Sequence, residues 1–161
     1  MQGTKHRIHA RLSSYWKLEL GNAALIPVIM VFLCFRAEQA VGPGLALACV
    51  PMSGLLVLGG LYWRAKLLQL EGSSDSLEWV LGQAAKWRLP LLATTCFACV
   101  LAAVTWVADL AASPGERWAI TAAAALAALE YMNYCHRQLR HFDNLPDAGF
   151  RSRKWRAICN D

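Results

Sequence analysis

The sequence predicts an all-α integral membrane protein, folded as a four-helix bundle. Its 161 residues are 57% hydrophobic and 17% charged, which is too apolar for an ordinary soluble domain. Four apolar stretches lie at about residues 18–35, 45–63, 89–108 and 118–135, and each is close to the roughly 20 residues that cross a bilayer. The connections are short, so we expect antiparallel neighbours and one membrane domain over residues 1–161.

The basic residues predict the orientation of these helices. All 16 lysines and arginines except Arg36 and Arg117 precede the first span, lie between the second and third spans, or follow the fourth. The positive-inside rule then places both termini and the 64–88 loop in the cytoplasm, in the inner (plasma) membrane. The net charge of +5 forms a basic collar facing anionic lipid headgroups. Nucleic acid is not expected as a partner, because no base-reading module accompanies the charge.

The first two spans contain several features of membrane helices. Residues 5–20 have a helical pattern, which fits either an interfacial helix or a longer first helix that protrudes from the membrane. Ser53, Gly54, Gly59 and Gly60 allow close helix approach in the second span. That helix should continue to about Leu70 and end in the turn at 71–76.

The third span is expected to begin at Pro90, after an amphipathic segment at 77–88 that is rich in tryptophan and suited to the membrane surface. The fourth span has a ridge of small residues, Ala119, Ala123 and Ala127, facing either its own bundle or another subunit. We expect the other three helices to cover this fourth one.

Glu130 is the most unusual residue of the fourth span. It lies twelve residues after Trp118, or roughly 18 Å along a helix, and so inside the hydrocarbon region. A carboxylate at that depth is costly unless it is neutral, paired or facing a wet cavity. It is either a proton-linked or substrate-binding group, or a structural residue hydrogen-bonded to a neighbouring helix.

Other polar residues fall at a similar depth in the other spans. We predict an intramembrane polar cluster within the cytoplasmic leaflet. Its members are Asn22, Thr94, Thr95, Glu130 and Asn133.

The C-terminal region supplies candidate ligands for lipid headgroups. They are Arg137, Arg140, His141, Arg151, Arg153, Lys154 and Arg156. Residues 150–158 mix aromatic and basic side chains, which fits a segment lying on anionic lipid or, equally, a solvated tail.

The positions of the cysteines and histidines in the sequence give little support to cofactor or redox chemistry. Cys96 and Cys99 form a CxxC pair in the middle of a span, where an apolar bilayer disfavours the reactive thiolate. The four histidines lie at or beyond the cytoplasmic edge, so a haem within the bundle is not expected, and the spacing of Cys135, His136, His141 and Cys159 matches no strong zinc signature. We predict no cofactor, no metal and, on balance, no enzyme.

Three functions remain as hypotheses. The first is an oligomeric membrane assembly or effector subunit, associated with copies of itself or with other membrane subunits. The second is a small proton- or cation-coupled transporter or channel that uses Glu130. The third is an enzyme acting on lipid headgroups through His136, Arg137 and His141, for which no nucleophile–base pair is evident.

Overall fold

Four helices make up the computed structural model, which describes residues 2–73 and 75–134, with side chains from His9 onward. They are α1 (Gln2–Arg36), α2 (Pro43–Leu70), α3 (Asp75–Val107) and α4 (Pro114–Met132), and no strand occurs among these residues. Three stretches are long and apolar enough to cross a membrane: His9–Arg36, Pro43–Leu70 and Asp75–Val107. This is the pattern of a membrane protein.

The fourth predicted span has a weaker signal than the other three. The described part of α4 has 19 residues and includes Glu116, Arg117 and Glu130. It is not among the helices apolar enough to span, and residue 135 of the predicted span lies outside the described part of the chain. A fourth crossing therefore stays a prediction.

Three of the helices extend beyond the predicted spans. The 35 residues of α1 form one continuous helix, about 52 Å long at 1.5 Å per residue, so the N-terminal segment continues the first span. The end of α2 at Leu70 confirms the predicted extension of that helix. Asp75 and Glu78 occupy the first turn of α3, where acidic side chains favour the helix N-terminus.

The helix that contains the third span begins well before Pro90, because α3 runs unbroken from Asp75 to Val107 with Pro90 inside it. Proline removes one backbone N–H from the helix interior, but membrane helices tolerate it where nearby side chains bond the backbone. The carbonyl that loses its partner is that of Lys86, four residues before Pro90. The Thr94 hydroxyl donates to the carbonyl of Pro90 itself at 2.9 Å, which is a separate back-bond within α3. The segment at 77–88 is therefore the first third of α3.

The central element is α2, the only helix of the four that packs extensively against all three others, whereas α1 and α4 make little contact. The expectation that α4 lies at the centre is therefore wrong. Ala123 and Ala127 face the protein's own core, where they pack among small residues and a few large ones. The core includes Ala48, Met52, Leu56, Ala98, Ala102 and Ile120.

Two adjacent glycines make the close packing on α2 possible. A Cβ placed on Gly60 lies 2.8 Å from Leu20 Cγ on α1, and one on Gly59 lies 1.7 Å from the Tyr134 hydroxyl beyond α4. Both distances are below van der Waals contact, so only glycine admits these neighbours. The Gly59–Gly60 pair thus brings α1 and the end of α4 onto two sides of α2.

The helices meet at two ends with different character. At the double-loop end, formed by residues 37–42 and 108–113, Ser113 Oγ donates to Ala40 O at 2.7 Å. At the single-loop end, formed by the start of α1 and residues 71–73, His9 Nε2 lies 2.9 Å from Glu71 Oε1. Aromatic side chains accompany both ends, with Trp106 and Trp118 in edge contact at 4.9 Å and Tyr15 near Trp63 at 5.8 Å.

Candidate functional site: a polar cleft between α1 and α4

The candidate site is a cleft of 260 Å³ between α1 and α4, with α2 as its floor. It exists because these two helices pack on α2 without closing against each other. Polar and apolar side chains alternate around it. They are Tyr15, Leu18, Glu19, Asn22 and Ile26 from α1, Met52 and Leu56 from α2, and Leu126 and Glu130 from α4.

Helical periodicity explains why these residues share the cleft. Glu19, Asn22 and Ile26 follow one another at spacings of three and four, which align side chains on one face of α1. Leu126 and Glu130 are four residues apart on α4. The two carboxyl groups and the Asn22 amide therefore meet from opposite walls, above an apolar floor of Met52 and Leu56.

The depth of the cleft follows from the aromatic residues beside it. Tyr15 and Trp16 mark the single-loop end of α1, together with Trp63 of α2. Glu19 lies one helical turn deeper than Tyr15, or about 5–6 Å. Aromatic side chains of this type collect at the interface in membrane proteins, where a carboxyl group one turn deeper is costly unless its charge is compensated.

No cationic side chain of the described residues lines the cleft. The Tyr134 hydroxyl is buried and lies beside the Glu19 carboxylate, as does Trp63. Polar groups in an apolar environment are normally hydrogen-bonded. The Asn22 amide and the Glu130 carboxylate face the cleft with no cationic side chain of the described residues beside them.

The structure brings together two members of the predicted polar cluster, Asn22 and Glu130, in this cleft. Asn133 is the residue that ends α4, three positions after Glu130, and its backbone N–H bonds the Glu130 carbonyl. The two threonines lie elsewhere: Thr94 lines a groove between α2 and α3, and Thr95 is buried in α3 without a described partner for its hydroxyl.

Glu19 is the site residue that the sequence reasoning missed. It is an acidic residue inside the predicted 18–35 span, which by itself marks a functional candidate. Its spacing of three from Asn22 repeats the pattern that singled out Glu130 and Asn133. The signal was present, but the position near the start of the span concealed it among the interfacial basic and aromatic residues.

A second buried carboxylate, Glu116, has a structural role at the double-loop end. Its side chain accepts backbone N–H groups from Gly42 at 2.8 Å, from Leu45 at 3.4 Å and from Ala112 at 2.6 Å. The Ser113 hydroxyl in turn accepts the Glu116 N–H at 3.1 Å. Ser113 and Glu116 are thus a variant of the S-x-x-E capping box, in which the carboxylate also caps the start of α2.

The other predicted ligands either lie outside the described residues or do not come together in the structure. The headgroup candidates Arg137, Arg140, His141, Arg151, Arg153, Lys154 and Arg156 lie outside the described residues, as do Cys135, His136 and Cys159. Within residues 9–73 and 75–134, no three metal-ligating side chains come together. Cys34, Cys49, Cys96 and Cys99 are all free thiols.

Comparison of the chain with protein-family models, with curated proteins and with solved structures finds no match. The function is therefore argued from the cleft and its surroundings.

Proposed function

We propose that this protein is a subunit of a membrane assembly and that the cleft between α1 and α4 receives a helix of another chain. The observation that carries the proposal is the polar lining of a cleft whose two walls barely touch. Within a bilayer, half-buried carboxyl and amide groups favour interhelical hydrogen bonds, worth about 0.6–2 kcal/mol each. A helix with a basic or donor side chain would satisfy Glu19, Asn22 and Glu130 together.

The outer surface of α1 supports this proposal. Val28, Phe32 and Phe35 are each more than half exposed, as are further apolar residues along the same helix. The rest of the α1 span is equally open, since only 11% of its most apolar window is buried within the chain. Apolar side chains suit either lipid or another helix, so it is the polar cleft beside them that favours a protein partner.

We also infer the arrangement in the membrane. The distribution of charge agrees with an antiparallel bundle of four crossings in the inner membrane. The single-loop end would then lie in the cytoplasm. The halves of α1, α2 and α3 nearer the single-loop end carry Lys5, Arg7, Arg11, Lys17, Arg64, Lys66, Lys86 and Arg88, whereas Arg36 and Arg117 belong to the double-loop end. The cleft then lies in the cytoplasmic leaflet.

Photo-crosslinking in the native membrane tests the proposal. The photoreactive residue p-benzoylphenylalanine is placed at Leu18, which lines the cleft and is 58% exposed, and in a control at Val100, 60% exposed on α3. We expect a discrete crosslinked product from Leu18 that disappears in the Glu19→Gln, Glu130→Gln double variant. Crosslinks only to lipid from Leu18, or equal protein products from both positions, would rule out the cleft as the association site.

Transport is a second candidate, favoured by the presence of two carboxyl groups in one cleft. Two such groups on facing helices are stabilised when they share a proton or bind a cation between them. Proteoliposomes containing the purified protein should then show proton or cation flux that Glu130→Gln and Glu19→Gln each abolish. The Glu38→Gln variant, which alters an exposed carboxylate, serves as the control.

A further inference from the structure

A second opening lies on the opposite side of α2, where α2 and α3 form a groove of 480 Å³. Its walls are apolar, with Val50, Val57 and Leu61 from α2 and Trp79, Trp87 and Leu91 from α3. Trp79 is 59% exposed and Trp87 is 55% exposed. These two indoles form the outer rim of the groove.

The spacing of the residues produces this groove. Trp79, Gln83, Trp87 and Leu91 follow at intervals of four, so they form one stripe along α3. On α2, Gly54 has no side chain, and a Cβ at that position would lie 3.1 Å from Leu91 Cδ2. The two helices therefore come close at Gly54 and leave a shallow apolar channel beside it.

Beside the groove, towards the single-loop end, lies a second cavity that is mostly apolar but includes two polar side chains. This cavity, of 370 Å³, shares Leu61 and Trp79 with the groove and adds Arg64 and Ser76. Arg64 is exposed, and its guanidinium carbon lies 5.6 Å from the centre of the Trp16 ring. An apolar channel thus ends at a positive charge and a hydroxyl group.

The length of this surface matches one lipid molecule. From Trp79 to Thr94 is fifteen residues, or about 22 Å along α3, and one leaflet of a bilayer is about 15 Å of hydrocarbon plus its headgroup layer. We propose that the groove between α2 and α3 binds one anionic phospholipid, with its acyl chain between the helices and its phosphate at Arg64. This site is separate from the cleft and goes beyond the proposed function.

Charge complementarity favours a lipid over a protein segment as the occupant. Residues 135–161 carry Arg137, Arg140, Arg151, Arg153, Lys154 and Arg156, so this tail would bring positive charge to Arg64. A second copy would bring the same basic end of its own helices. An anionic headgroup brings the opposite charge, and guanidinium groups bind phosphate through charge-assisted hydrogen bonds.

Native mass spectrometry of the full chain in a mild detergent tests this site, with phosphatidylglycerol or phosphatidylcholine added at equal concentration. The wild type should retain one phosphatidylglycerol, with an affinity about tenfold above that for phosphatidylcholine. Arg64→Gln should remove this preference, and Val57→Trp, which fills the groove, should weaken the binding of both lipids. A large excess of inorganic phosphate should leave the bound lipid in place, because the acyl chain supplies much of the binding free energy.

Two variants serve as matched controls. Arg36→Gln removes an exposed basic residue at the double-loop end, and Val100→Trp adds an indole on another face of α3; both should bind lipid as the wild type does. Because Arg64 is exposed, its variant tests the proposal even where Val57→Trp fails to fold. A wild type that binds the two lipids equally, or an Arg64→Gln variant that keeps its preference, would overturn the proposal.

Discussion

Glu116 shows how much a single side chain contributes to the stability of the fold. Its fully buried carboxylate accepts backbone N–H groups from the start of α2 and from the turn before α4. Hydrogen bonds to charged groups contribute about 1.5–3 kcal/mol, and an unsatisfied buried group costs a similar amount. We expect Glu116→Gln to lower the free energy of unfolding by about 2–3 kcal/mol, measured by denaturant titration in micelles. Glu38→Gln, at the same end but exposed, should change it by less than about 0.5 kcal/mol.

The energetic coupling between Asn22 and Glu130 gives a second test of whether these residues share the cleft. Asn22 and Glu130 line the same cavity, so the Asn22→Ala and Glu130→Gln substitutions should be non-additive by about 0.5 kcal/mol or more in a double-mutant cycle of unfolding. Thr94 lines the other side of α2, and the cycle of Thr94→Ala with Glu130→Gln should be additive. Coupling of equal size in both cycles would contradict the placement of these residues.

The site residues show what sequence can predict at this scale. The sequence predicts the depth of Glu130 from its distance to Trp118 and predicts nearly the same level for Asn22. Depth does not determine which way a helix face points, however, and Thr94 lies in the groove between α2 and α3 and not in the cleft. The direction in which a side chain points depends on the rotation of its helix about the helix axis. Tertiary packing determines this rotation.

At the scale of elements, the Gly60 contact controls how closely α1 approaches α2. A methyl group at Gly60 would meet Leu20 at 2.8 Å and the Trp16 carbonyl oxygen at 3.3 Å. We therefore expect Gly60→Ala to destabilise the protein by about 1–3 kcal/mol. Gly21→Ala is the matched control on α1, since nothing lies within 4 Å of its added Cβ. That change should be neutral or stabilise the helix by up to about 1 kcal/mol, and loss of stability in both variants would count against the close contact.

The helix boundaries were predictable wherever turn chemistry was explicit. The turn after Leu70 is predictable from the Glu-Gly-Ser-Ser-Asp-Ser stretch, where Gly72 adopts a φ of 102°. Pro90 misled the reasoning, because a proline that starts a helix and a proline inside one look alike in sequence. The small-residue ridge of α4 could face either way from sequence alone, and its burial against the protein's own core became evident only in three dimensions.

At the scale of the whole molecule, α2 organises the structure because its small residues admit a neighbour on each side. Glycines at 54, 59 and 60 lie against α3, the end of α4 and α1 respectively. Among the openings that this arrangement leaves are the polar cleft between α1 and α4 and the apolar groove between α2 and α3. The all-helical, membrane-compatible class was predictable from composition, whereas these openings depend on which helices remain apart.

We propose that the cleft holds a partner helix through its polar residues. Native mass spectrometry of the protein extracted gently from its own membranes tests it most directly, with the wild type beside the Glu19→Gln, Glu130→Gln double variant. We predict that the wild type leaves the membrane with a second chain at fixed stoichiometry, whether a copy of itself or a different subunit, and that the double variant leaves alone. A wild type found only as a single chain, or an equally stable complex of the double variant, would contradict the account.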